Sequence, residues 1–133
     1  MMHNNVKTTF ENLNNATTDQ EKVDVLSKGI SPGLILILKG MFRTDFVFDV
    51  VIPEYTKRDP RDTGMQSLEE AALILPFLST TSSMTAEAKT KLLKETLERM
   101  NNSDSDLLLA AINKNLPILT REIVGQAFPG LLD

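Results

Sequence analysis

The chain has 133 residues, with 14 Lys+Arg against 18 Asp+Glu, a formal net charge of −4, no Cys and a single His. That length fits one domain over residues 1–133 and lets roughly two-thirds of the unfolded chain's surface be buried, so a core can form without staples. The absence of cysteine rules out a disulfide framework, a thiolate metal site or a cysteine nucleophile, and one histidine near the N-terminus, His3, argues against a Ser-His-Asp triad or a multi-histidine metal centre.

Hydrophobic residues make up 41% and charged residues 24%, ordinary globular usage that speaks against wholesale disorder. The N-terminus, Met1-Met2-His3-Asn4-Asn5, is polar and lacks the apolar stretch of a signal peptide; residues 1–4 are expected to be flexible. The longest apolar run, Leu34-Ile35-Leu36-Ile37-Leu38, is far short of the ~20 residues that span a bilayer. The expectation is a soluble protein with no membrane partner, in the cytoplasm.

Val6, Phe10 and Leu13 recur at helical spacing and predict a first helix over about Asn5–Asn14. Thr18 stands three residues before Glu21, the pattern of a capping box, and opens a second helix over Asp19–Lys28 that Gly29 stops. Ser31-Pro32 starts a third, with Pro where its missing N–H costs little. Leu34–Leu38 is apolar on every side and reads as a buried helix, or less readily a buried strand. The stretch Asp45–Tyr55 differs: Phe46, Phe48, Val50 and Ile52 alternate with Val47, Asp49 and Val51, so an extended segment or half of a small hairpin is expected. From Pro53 to Gly64 runs a long polar loop, where function or mobility concentrates.

Ser67 caps a fourth helix whose predicted buried face is Ala71, Ala72, Leu73, Leu75, Phe77 and Leu78, with Pro76 kinking it or ending its regular part and Ser79–Ser83 closing it. Thr85 caps a fifth over about Ala86–Met100, with a stripe of Ala88, Leu92, Leu93, Leu97 and Met100. Its Glu87–Lys91 and Glu95–Arg99 spacings favour i,i+4 pairs. Asn101-Asn102 ends it, Ser103 and Asp104 open a sixth ended by Pro117, and Thr120 precedes a short seventh, Arg121–Phe128, ended by Pro129-Gly130. The fold class read from these signals is mainly α: a compact bundle of six or seven helices with one extended segment and a long central loop.

Nucleotide-loop, dinucleotide, zinc-protease and EF-hand motifs are missing. No catalytic, cofactor-binding or metal-binding residue is assigned, and an enzyme is not expected. Gly29 and Gly33 read as a helix stop and a helix start. Asp104 and Asp106 at i,i+2, like Glu69-Glu70, read as first-turn complements to the helix dipole. The cluster Lys57-Arg58-Asp59-Pro60-Arg61 could meet phosphates, or be a solvated loop that Asp59 and Asp62 largely neutralise. Lys89, Lys91 and Lys94, answered by Glu87, Glu95 and Glu98, read as a solvated helix flank. Residues 67–133 carry 6 basic against 9 acidic side chains, so any nucleic-acid contact should be local, weak and salt-sensitive.

Ser83-Met84-Thr85-Ala86, then Asp104-Ser105-Asp106-Leu107-Leu108-Leu109, then Pro117-Ile118-Leu119-Thr120-Arg121-Glu122-Ile123-Val124-Gly125-Gln126-Ala127-Phe128-Pro129-Gly130-Leu131-Leu132 resemble the end of the N-terminal DNA-binding domain of phage-type ATP-dependent DNA ligases. In that family a short helix leads into an aromatic-Pro-Gly-Leu segment, here Phe128-Pro129-Gly130-Leu131. The Thr18–Lys22 and Leu34–Leu38 helices sit where that domain's early helices would. The resemblance implies an all-helical fold and contact with the duplex backbone, but not ligation: no K-x-D-G motif is present to form a lysine–AMP adduct. Where such ligases commonly put Asn-Lys before the aromatic-Pro, this chain has Gly125-Gln126, and Leu109, Ala110 and Ala111 replace basic residues on the preceding helix, leaving Lys114 and Arg121. The expected function is therefore a non-enzymatic accessory protein without cofactors. It would contact duplex DNA weakly through Lys57, Arg58, Arg61, Lys114 and Arg121. The alternative is a protein-interaction module that binds or inhibits a polymerase, nuclease or host factor, or a virion component.

Overall fold

A computed structural model describes residues 6–59, 61 and 64–132. His3 and the expected flexible tail, and Pro60, Asp62 and Thr63 of the central loop, lie outside the described residues. Among these residues the chain forms seven α-helices and no named strand: α1 (Val6–Asn15), α2 (Asp19–Lys28), α3 (Pro32–Phe42), α4 (Leu68–Ala71), α5 (Ala86–Arg99), α6 (Asn102–Ile112) and α7 (Arg121–Ala127), with a 3-10 segment, Ala72–Leu78, continuing α4.

Six helices begin on the same chemistry. Thr18, Ser31, Ser67, Thr85, Asn101 and Thr120 hold extended backbone, and each side-chain oxygen accepts the N–H three residues on. These oxygens satisfy donors that a helix start leaves without partners. At α2 the Glu21 carboxylate returns to Thr17, one residue before the cap, accepting from its backbone N–H at 3.2 Å and its hydroxyl at 3.0 Å. The α6 cap is Asn101, not Ser103 or Asp104: one asparagine follows the end of α5 and starts α6, with Met100 between the two helices.

α3 is the central element. It packs on α4, the 3-10 segment and α6, while α1 lies on α2 and α4, α2 on α7, and α5 on the 3-10 segment. Leu34, Ile37, Leu38 and Met41 of α3 meet Leu68, Leu75, Leu78, Leu93, Leu97, Leu108 and Ile123 in one continuous core. The apolar run is thus a buried helix.

The regular part of α4 ends ahead of Pro76, as expected, but the chain continues as a 3-10 segment rather than kinking. The chain tightens to three residues per turn from Ala72, four residues before the proline that could not have donated an α-type bond. The change of period re-phases the side chains. Ala72, Leu75 and Leu78, three apart, are buried, whereas Leu73 and Phe77, expected inside, are 49% and 54% exposed.

The segment after α3 is extended but forms no hairpin. Asp49 N–H donates to Leu78 O at 3.2 Å and Thr80 N–H to Val47 O at 2.8 Å, an isolated antiparallel bridge centred on Phe48 and Ser79. Phe46, Phe48 and Val50 pack on the core and Val47 and Val51 face outward. The alternation fails at Ile52, 40% exposed, just before Pro53. Ser79, expected to be part of a polar closing run, is buried by this bridge.

Candidate interaction surface

The five candidate contact residues fall into two groups on different parts of the fold. Lys57, Arg58 and Arg61 lie on the loop that lines α5 and the start of α6. Lys57 is exposed, and the Arg61 side chain is 93% exposed, with Asp59 beside it at 3.4 Å. Arg58 turns inward: its Nε donates to Glu98 O at 2.8 Å, and its own backbone is gripped by Asn102.

Lys114 and Arg121 converge instead on the C-terminal end of α3. Lys114 Nζ donates to Gly40 O at 2.6 Å and Phe46 O at 2.9 Å and sits 5.7 Å from the centre of the Phe48 ring. Burial pushes its ammonium below the usual lysine value. Arg121 donates to Phe42 O and, at 3.4 Å, to Leu132 O. Arg43, which the sequence did not single out, completes the group by donating to Leu131 O at 3.0 Å and pairing with Asp45 at 2.8 Å. Lys114 and Arg121 thus face carbonyls that the C-terminus of α3 leaves open, where positive charge is favoured. Arg43 and Arg121 also tie Leu131 and Leu132 to the end of α3. These side chains bind backbone, so their cationic heads are largely committed within the fold.

Three further polar residues are more deeply engaged in the fold than their sequence positions suggest. Lys89, read as part of a solvated flank, is 2% exposed. Its Nζ pairs with Asp49 at 2.5 Å and donates to Ser79 O at 2.9 Å, so it occupies a position in the buried stripe of α5 with Leu93 and Leu97. Asp104 does sit in the first turn of α6, but it is 3% exposed. Burial holds its carboxyl above the ordinary carboxylate range, while Lys7, 3.9 Å away, and the Asn101 side chain pull it down. Glu69 does sit in the first turn of α4, but its carboxylate serves two other helices, accepting Val6 N–H at 3.2 Å and Gly33 N–H at 2.5 Å. On the outer face of α5 the recorded pair is Lys91–Glu95 at 4.0 Å.

A shallow apolar groove of about 450 Å³ lies between Val51 and α5, lined by Ala86, Glu87, Thr90, Lys91 and Lys94. Among the described residues no group of three or more His, Cys, Asp or Glu side chains is placed to hold a metal ion, and no helix is long and apolar enough to cross a membrane. The exposed features of this face of α5 are two outward cations on the anchored loop and the open apolar groove. No family model, curated protein or solved structure matches this chain.

Proposed function

We propose that the chain is a non-enzymatic accessory module that contacts the backbone of duplex DNA within a phage-type replication, repair or transcription assembly. The supporting observation is that the segment resembling the ligase domain is built into the helical fold. α7 packs on α2, and Leu131 and Leu132, at the end of the Phe128-Pro129-Gly130-Leu131 run, are tied to α3 by Arg43 and Arg121. Lys57 and Arg61 supply the phosphate contacts, because their heads face water while Arg58, Lys114 and Arg121 hold the fold. Two contacts give weak binding, with a slope of log K against log salt of about −2. Titration of a labelled mixed-sequence duplex at ~50 and ~200 mM salt tests this. K57A/R61A should flatten the slope and K114A should leave it unchanged. No binding at ~50 mM salt with micromolar protein removes the proposal.

A second reading, a module for a polymerase, nuclease or host factor, is favoured by Val47, Val51 and Ile52, which are 45%, 72% and 40% exposed on one segment beside the apolar groove. Affinity purification from native lysate with and without nuclease separates the two readings. A protein retained after nuclease treatment and lost with Val51→Glu supports the second; recovery of nucleic acid alone counts against it.

A further inference from the structure

The central loop is not a free excursion. Both of its ends are fastened to one stretch, residues 98–105, where α5 ends and α6 begins. On the incoming side Thr56 N–H donates to Glu98 Oε2 at 3.0 Å, Arg58 Nε to Glu98 O at 2.8 Å, and the Tyr55 hydroxyl lies 3.4 Å from Ser105 Oγ. On the outgoing side Gly64 bridges to Met100, and the N–H groups of Met65 and Gln66 both donate to Arg99 O, at 2.7 and 3.0 Å. Gly64 has a φ of +82°, and a Cβ there would fall 2.7 Å from Asn101 N, so only glycine lets the chain approach this closely.

Asn102 is the central fastener. Its Oδ1 accepts Arg58 N–H at 3.2 Å and its Nδ2 donates to Arg58 O at 2.8 Å. A carboxamide carries the same donor and acceptor as a peptide unit, so Asn102 pairs with Arg58 as a neighbouring strand would. The pairing fixes which way the loop's side chains point. Arg58 turns in toward Glu98 while Lys57 and Arg61 remain outside, and Asp59 accepts Arg61 N–H at 2.9 Å.

We propose that Asn102 is a positioning residue for DNA contact: by clamping the Arg58 backbone it holds Lys57 and Arg61 ready for two phosphates. The inference rests on the DNA reading above. Preorganisation of this kind lowers the ordering cost at binding. Asn102 is well suited to test, because it is the first residue of α6 while the cap is Asn101, so N102A leaves the helix start its acceptor.

The experiment uses the full chain and the same labelled duplex. N102A should bind about three- to tenfold more weakly, as expected when a rotamer-rich contact must be ordered at binding. It should also show a flatter salt slope and faster trypsin cleavage after Lys57 or Arg61. In a K57A/R61A background it should cost nothing further, since it acts through those cations. E98A gives an independent arm that does not depend on N102A folding. Removing an acid beside the contact strengthens binding if charge alone matters, but weakens it if the Thr56 anchor positions the loop. Wild-type binding with unaltered affinity in N102A, or tighter binding by E98A, overturns this inference alone. Failure of the wild-type chain to bind overturns the DNA reading and this inference with it.

Discussion

Asp49→Asn is the sharpest test of how the extended segment is held. The ammonium of Lys89 is 3% exposed while its partner carboxylate is 47% exposed, so the two charges are unequally dependent on each other. Asp49 alone can hydrate; Lys89 alone cannot. An exposed ion pair is worth about 0–1 kcal/mol, whereas breaking a fully buried pair costs about 3–5 kcal/mol by stranding a charge. This half-buried case falls between, at about 2 kcal/mol for D49N. The entropy of unfolding of a 133-residue chain is about 280 cal/mol/K, so 2 kcal/mol lowers Tm by about 7 °C. Lys89→Met keeps the buried stem and loses the bond to Ser79 O, a cost of about 1 kcal/mol. The double variant D49N/K89M no longer strands a charge and should be more stable than D49N alone. Thermal melts of the four proteins read this cycle. Additive losses, or a D49N shift of Tm under about 2 °C, would refute the claim that a buried lysine depends on this carboxylate.

Glu69→Ala removes the acceptor shared by the first turns of α1 and α3 and should cost about 2 kcal/mol in urea unfolding. Gly33→Ala should produce a similar loss, because a Cβ there would enter the space of the Glu69 carboxylate; the two changes together should then cost less than their sum. For Asp104 the sign follows from burial. A carboxyl held above its ordinary 3.8 takes up a proton more readily in the folded state, so stability declines as pH climbs from 3.8 through the raised value. D104N should flatten that decline and be at least as stable as wild type near neutral pH; a wild-type pH profile in D104N would show that the decline arises elsewhere.

The helix starts were legible because a cap is local chemistry: Thr18, Ser31, Ser67, Thr85 and Thr120 each announce themselves within three residues of the donor they satisfy. Asn101 escaped because asparagine suits a helix stop as well as a start, and here it follows one helix and caps the next. Leu73 and Phe77 were misplaced because Pro76 signals that a regular helix must yield but not how, and a shift from 3.6 to three residues per turn moves every later side chain. Lys89 stood at a core spacing of α5, but its partner lies 40 residues away, beyond the reach of any periodicity.

The candidate cations obey the same division between local and distant information. A lysine or arginine declares its charge in the sequence, yet its partner can be a phosphate, a carboxylate or a carbonyl, and every residue carries a carbonyl. Lys114 and Arg121 find the open end of α3 more than 70 residues away in the chain, and Arg58 finds Glu98 at a separation of 40. For an acidic chain this distinction decides the chemistry. The spare positive charge is set by which heads the fold leaves facing water, as it does those of Lys57 and Arg61, and not by the count of basic residues in the sequence.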